Sequence, residues 1–361
     1  MNIRSCTMLG TDHSWSVVMR NILLQFRRLN HNLYLKSTNG TSLIPKELMV
    51  RLDKELSNPD IDICYTLPRN FESRFRKSSK NKMAIYNYET DILPEHWKGS
   101  HRFVDFVLPS SNFSKEVFTK AGWPEEKCIV VPHGINIEDF KDNSEYRLSS
   151  GRRFKFLNIS IPHYRKNIDV VLNAYYSAFS DQDDTCLVLK TKLEPSKRKY
   201  QFEVNVRDII ISAQKRHMGR PGGLPSVEVV RDRLPSMTPL YNACDALVSA
   251  SSSEGFGMPM LEALAAKKLV IAPRCTGQLD FLNDSNSLLC DVSEIEADAR
   301  YQYWIPSEGA KTFIPKQDHL AELMLSAYKS KDLFENFRDS ADKTVNEFTW
   351  ENAARKILEL S

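Results

Sequence analysis

The feature that most constrains this chain is a regular alternation of short apolar strands with helical or polar stretches, occurring in two blocks. In the first block Arg4–Leu9, Asn32–Lys36, Ile61–Thr66, Met83–Tyr88, Val104–Pro109 and Cys128–Val131 read as strands. In the second, Phe154–Ser160, Cys186–Lys190, Val227–Val230, Ala246–Ala250 and Leu269–Ala272 do the same. Parallel strands need a crossover connection, usually a helix, so this pattern predicts α/β structure with a parallel sheet in each block. Residues 137–153 between the blocks are polar and aperiodic, which suits a linker. The length agrees: 361 residues exceed the roughly 250–300 at which a single core stops growing.

Composition narrows the function classes. A net charge of +3 is too small to imply a polyanionic partner by itself. No apolar run reaches the length of a membrane span, and Met1-Asn-Ile-Arg lacks the basic-then-apolar layout of a signal peptide. The expectation is a cytoplasmic protein. The seven cysteines are scattered, odd in number and without a Cys-x-x-Cys pair, so they read as reduced core thiols rather than disulfides or a zinc site.

The first strand ends at Gly10, and Thr11, Asp12 and Ser14 supply cap residues for a helix carrying Val18, Ile22, Phe26 and Leu29. Strand–glycine–helix–strand opens a nucleotide-type layer, with Gly10 at the strand edge where ligands gather. A lone glycine serves equally well as a tight turn. Further on, Arg69–Lys82 holds six basic residues against one acid. Because it leaves the C-terminal end of a strand, it is expected to border a cleft, either as a solvated loop or as a contact for a phosphate-bearing acceptor.

The densest chemistry lies in Ser251–Asp280. Glu254 and Glu262 bracket a Gly255-Phe256-Gly257-Met258 turn, and Pro259 opens a helix, where its missing N–H is harmless. Such a turn presents amides and the positive end of a helix dipole, a seat for a diphosphate, while the carboxylates accept from hydroxyls on either side. Arg165 and Lys166 stand where a strand hands over to a helix, on the same sheet edge. Two fixed cations there suit a departing diphosphate. Lys190, ending another strand, is a further phosphate candidate. Lys192–Lys199 and His217–Pro225 read as loops.

These residues resemble the retaining glycosyltransferases of family 4 (glycosyl transferases group 1). Glu254 to Glu262 matches that family's E-x7-E signature, and Leu240–Ala266 is similar almost residue for residue. Val270-Ile-Ala-Pro, Gly277-Gln-Leu-Asp280, Val130-Val-Pro-His133-Gly134-Ile-Asn136, Arg165-Lys166-Asn167 and Phe348-Thr-Trp350-Glu351 extend the likeness. It implies the GT-B fold, two Rossmann-like domains with parallel sheets facing across a cleft. The N-terminal acceptor-side domain would occupy 1–145 and the donor domain 146–345. The last segment, 346–361, would place a helix at Trp350–Leu360 back on the first domain.

The resemblance also implies roles. Glu262 would bind ribose, Glu254 the transferred sugar, Arg165 and Lys166 the diphosphate, and Gly257 and Met258 would offer amides. The nucleobase would sit near Arg231–Leu234, with Arg233 and Leu234 among its contacts. The anomeric configuration would be kept, with no cofactor and no obligatory metal. A histidine found in many relatives after the fourth N-terminal strand is replaced here by Tyr86-Asn87-Tyr88-Glu89-Thr90-Asp91, so either Glu89 or Asn87 would take over part of its role or the acceptor would be handled differently. Expected partners are a nucleotide-sugar donor and a carbohydrate or lipid-linked acceptor, and Arg74, Arg76 and Lys77 would allow peripheral contact with anionic membrane. Two other readings stand beside this one: transfer to a modified nucleic-acid base, for which no recognition motif is visible, and sugar-nucleotide binding without transfer.

Overall fold

A computed structural model describes residues 1–53, 56–194, 202–301, 307–330 and 332–361. Its contacts divide into two compact units, Met1–Ile135 with Glu347–Ser361, and Asn136–Asn346.

The first unit begins with β1 (Asn2–Thr7) and α1 (Ser14–Arg28), whose Val18, Met19, Ile22, Leu23 and Phe26 recur at helical spacing and are buried. His13 Nδ1 accepts from the Trp15 amide at the start of α1, and Arg27 and Arg28 complement the dipole at its end. Then come β2 (Asn32–Ser37), α2 (Lys46–Met49), β3 (Ile61–Tyr65), α3 (Phe71–Arg74), β4 (Asn81–Ile85), β5 (Phe106–Leu108) and α4 (Asn112–Lys120). The sheet is parallel, in the order β2-β1-β3-β4-β5, and its direction of growth reverses between β1 and β3. Cys128–Val131 runs beside β5 with one bridge, Val107 to Cys128, and the Val131 amide donates to Pro109 O, but Pro109 has no N–H to return the next bond, so no longer ladder forms.

The second unit contains β6 (Phe154–Ile159), α5 (Ile168–Ala178), β7 (Thr185–Lys190), α6 (Val206–His217), β8 (Ser226–Val230), α7 (Thr238–Asn242), β9 (Ala246–Val248), α8 (Met258–Ala265), β10 (Leu269–Pro273) and β11 (Leu288–Cys290). An antiparallel pair, β12 (Val292–Glu296) and β13 (Lys311–Pro315), precedes α9 (Gln317–Lys329) and α10 (Asp332–Glu347). The six-stranded sheet is parallel, in the order β11-β10-β9-β6-β7-β8. β7, β9 and β10 hold continuous apolar runs because both faces are covered, whereas β6 admits Lys155 and Asn158. Phe156, Leu187, Leu189, Val248 and Ile271 meet Val171, Tyr175 and Phe179 of the α5 segment and Leu320 and Met324 of α9.

The tract 137–153 belongs to the second unit, starts with a 3-10 turn and is then tied to the rest of that unit by hydrogen bonds. Tyr146 Oη donates to Asp232, the Ser149 and Ser150 amides donate to Glu228, and Asn242 Nδ2 donates to the carbonyls of Asp142 and Ser144. The final helix, α11 (Trp350–Leu358), belongs to the first unit and packs on α1 through Trp350, Ala353, Ala354 and Ile357. The Ile135 amide donates to Phe348 O and the Trp350 amide to Ile135 O. Gly134 is required there, since a Cβ would lie 2.1 Å from the Thr349 carbonyl carbon.

The basic stretch Arg69–Lys82, with Arg69, Lys77 and Lys80 exposed, includes the short helix α3 and for most of its length does not lie at the ligand edge. Phe71 and Phe75 are buried anchors that turn it back down the sheet. The Arg76 amide donates to Asp62 near the start of β3, the Lys80 amide to Pro59 O, and the Lys82 amide to Asp105. Arg76 to Lys82 therefore lie toward the N-terminal ends of the strands, and Arg69, directly after β3, stays near the C-terminal ends. All seven cysteines are buried and unbridged, as their scatter predicts. No helix among the described residues is long and apolar enough to cross a membrane.

Candidate functional site

In the second sheet, growth proceeds outward through β7 and β8 on one side of β6 and through β10 and β11 on the other side of β9. Loops leaving β6 and β9 diverge at this reversal and open a crevice beyond their C-terminal ends, the usual ligand position in such sheets. The first loop carries Arg165 and Lys166, the second Glu254. The strand order alone brings them together, though they are nearly ninety positions apart.

Tyr164–Lys166 forms a single 3-10 turn between β6 and α5. With three residues per turn, successive side chains leave it about 120° apart. Arg165 points into the β9 loop: its guanidinium donates to Ser253 O at 2.6 Å and Ser251 Oγ at 3.2 Å, and lies 3.4 Å from Glu254. Lys166 Nζ pairs directly with the Glu254 carboxylate. Asn167 takes a left-handed conformation (φ 45°) and its Nδ2 donates to Ala250 O at 2.9 Å and Ser252 Oγ at 2.6 Å. His163 Nδ1 accepts from the Arg165 amide. Burial first, then Arg165 and Lys166, push the His163 pKa down to about 2, so this ring is neutral.

Glu254 is 8% exposed. Burial alone would raise its pKa, yet Lys166 and then Arg165 outweigh it and hold the carboxyl at about 2. The rest of its turn is welded to the 3-10 turn Thr276–Asp280. The Glu254 amide donates to Thr276 Oγ1, and the Gly277 amide to Glu254 O, both at 3.0 Å. A Cβ on Gly277 would lie 2.4 Å from Gly255 O, so only glycine allows this approach. Phe256 is buried against Phe281. Gly257 (φ 98°) is the N-cap of α8, whose first residue is Met258.

Glu262, within α8, accepts a 2.8 Å hydrogen bond from Tyr241 Oη, which also donates to Pro259 O at 3.1 Å. Burial raises the Glu262 pKa to about 7, against the opposing Tyr241 bond. Tyr241 went unmarked by sequence reasoning. Its only signal was its place in the Leu240–Ala266 stretch.

Lys190, at the end of β7, donates through Nζ to Asp232 O, which fastens it to the turn after β8. That turn carries Arg233, exposed, and Leu234, half-buried. Loop positions 195–199 lie outside the described residues.

Gly10 and Glu89 sit on the first unit. The Gly10 amide donates to Asn39 Oδ1 at 2.9 Å, and a Cβ on Gly10 would meet Gly40 O at 2.1 Å. Its glycine character thus serves a close backbone approach rather than offering an N–H to a phosphate. Glu89, half-buried, follows β4. Beside it Asn87 Oδ1 accepts from the Ser110 amide and hydroxyl, which orients its Nδ2 toward Tyr65 Oη at 2.9 Å and His133 Nε2 at 3.4 Å. Burial lowers the His133 pKa to about 3. A neutral imidazole, that of His133, therefore lies beside Asn87.

Comparison with known proteins agrees with this architecture. Residues 159–301 match the family model described as Glycosyl transferases group 1. A probable sucrose-phosphate synthase of Thermosipho melanesiensis is 23% identical over 79% of this chain, which spans 60% of that relative's length. Among solved structures, Anabaena HepE in complex with UDP and glucose has a TM-score of 0.73 at 14% identity, covering 100% of this chain and 99% of that one. A glycosyltransferase from Rickettsia africae has a TM-score of 0.71 at 17% identity, covering 99% and 97%. Residues 159–301 are therefore similar to the glycosyl transferases group 1 domain, and the α/β fold, with its two parallel sheets, matches that of GT-B glycosyltransferases.

Proposed function

We propose that this chain is a retaining glycosyltransferase of the family 4 kind, moving a sugar from a nucleoside diphosphate donor to a hydroxyl of a carbohydrate or lipid-linked acceptor. The observation that carries the reading is the Arg165–Lys166–Glu254 cluster at the β6/β9 reversal, beside the start of α8. On arrival of the donor, Lys166 exchanges its carboxylate partner for phosphate oxygens, and the amides of the Gly255–Met258 turn add to the seat. Glu254, released, accepts from hydroxyls of the transferred sugar. Arg165 is fixed by Ser251 and Ser253, so it acts as a preorganised charge on the leaving diphosphate.

Glu262 accepts from ribose hydroxyls, with Tyr241 orienting its carboxylate. Arg233 and Leu234 border the base, and Lys190 supports their turn through Asp232. The first unit takes the acceptor, with Glu89 beside the Asn87–His133 pair contributing there. No metal is required, because the cations that offset the diphosphate charge are side chains. HepE was solved with UDP and with UDP-glucose, which makes a uridine nucleotide the first donor to try.

A panel of nucleotide sugars screened by nucleotide release, with mass analysis of products, tests the proposal. With the productive donor, Lys166→Ala is expected to lower turnover by about 10²-fold. Turnover within a few-fold of the unaltered protein would remove the phosphate assignment.

A further inference from the structure

The 3-10 turn that aims Lys166 at Glu254 is gripped from its other side by an element the catalytic reading does not use. Tyr164, the first residue of that turn, sends its half-buried ring away from the crevice and onto the segment joining β12 and β13. There the Arg300 guanidinium lies over the ring at 4.5 Å from its centroid, and Tyr301 meets it edge-on at 4.8 Å. Ala310 and Ile314 complete the packing.

The grip is itself held in place. Asp298 accepts from Arg300 Nε at 3.0 Å and Nη2 at 2.6 Å, a two-point contact that fixes the plane of the guanidinium. The Tyr301 amide donates to Asp298 O, and the Ala297 amide to Ala310 O at the end of the β12–β13 ladder. Tyr301 is buried. Nothing in the sheet requires this excursion, since β11 and α9 could be joined far more directly. Its described contacts converge on the turn that carries the two cations.

We propose that the β12–β13 excursion is a positioning device for the diphosphate seat, and that Tyr164 is its positioning residue. Held by Arg300 and Tyr301 on one side and by Asn167 on the other, the turn cannot rotate about the chain. Arg165 and Lys166 are thereby kept at fixed angles. This inference rests on the diphosphate reading above, and it concerns phosphate geometry rather than base or sugar recognition.

Calorimetric binding of UDP, GDP and ADP, each against its monophosphate, provides the test. The unaltered protein must first prefer a diphosphate; if it does not, the diphosphate reading fails, and this inference with it. Given that preference, Tyr164→Ala is expected to weaken diphosphate binding about tenfold while monophosphate binding stays within about twofold. Tyr164→Phe, which keeps the ring, should restore diphosphate affinity. Should Tyr164→Ala fail to fold, Tyr301→Leu tests the same grip from the excursion. Hydrogen exchange of the Tyr164–Asn167 amides, without ligand, should also quicken in either variant. Equal loss for both nucleotide classes, or unchanged affinity with unchanged exchange, would overturn the proposal.

Discussion

Replacement of Lys166 by methionine isolates the buried charge cluster. Glu254 is nearly inaccessible, and its carboxyl is held at about 2 rather than 4.5 because Lys166 and Arg165 outweigh burial. That difference corresponds to about 3 kcal/mol favouring the ionised form. Because the folded value is depressed, this stability is present above the unfolded value and is lost as pH falls from about 5 toward about 2. Lys166→Met leaves Glu254 buried with only Arg165, 3.4 Å away, so much of that stability should disappear at pH 7. For a unit of this size about 2–4 °C accompany each kcal/mol, giving a fall in Tm of roughly 6 °C. Lys166→Met with Glu254→Gln also removes the carboxylate that lost its lysine and should recover part of the loss, less what Arg165 forfeits as its own contact with Glu254 goes. Melting of the three proteins by circular dichroism between pH 4 and 8 reads all of this. The reasoning is refuted if the single variant melts within about 1 °C of the unaltered protein at pH 7, or if the double variant is no better than the single one.

Three further outcomes are expected. Burial raises Glu262 to about 7, and its ionised form is the stronger acceptor for a ribose hydroxyl, so donor affinity should rise between pH 6 and 8, and this dependence should vanish in Glu262→Gln, as measured by calorimetry at each pH. Gly277→Ala places a methyl 2.4 Å from Gly255 O, so thermal melts should show a loss of about 2–3 kcal/mol, with donor affinity falling as the Glu254 turn shifts. Gly134→Ala, colliding with the Thr349 backbone, should loosen α11 from α1, seen as faster amide exchange over Trp350–Leu358 with nucleotide binding preserved.

The sheets were legible because buried parallel strands must be short apolar runs, and ten of the eleven expected strands fall within observed strands or overlap them. Cys128–Val131 bonds to β5 and Pro109 but builds no ladder, because Pro109 lacks the N–H that the next bridge needs. The donor-side cluster was legible for a different reason. Gly257 and Pro259 each answer a backbone requirement visible in residue type, and Arg165-Lys166 stands at a strand-to-helix junction.

What escaped depends on where the chain returns. Arg69–Lys82 leaves β3 at the ligand edge, but Phe71 and Phe75 seal against the first unit and carry the later basic residues to the far end of the sheet. Gly10 looked like a phosphate turn; its constraint comes from Gly40, thirty positions on. Tyr241 meets Glu262 through the packing of α7 on α8, and the grip on Tyr164 comes from a hairpin whose sequence has no periodicity to announce it.

Crystals soaked with a nucleoside diphosphate test the central claim most directly. The account predicts density for the second phosphate within hydrogen-bond distance of Lys166 Nζ and of the amides at the start of α8, with Glu254 freed from Lys166. Density for the phosphates at any other place on the second unit, with the Lys166–Glu254 pair intact, would contradict it.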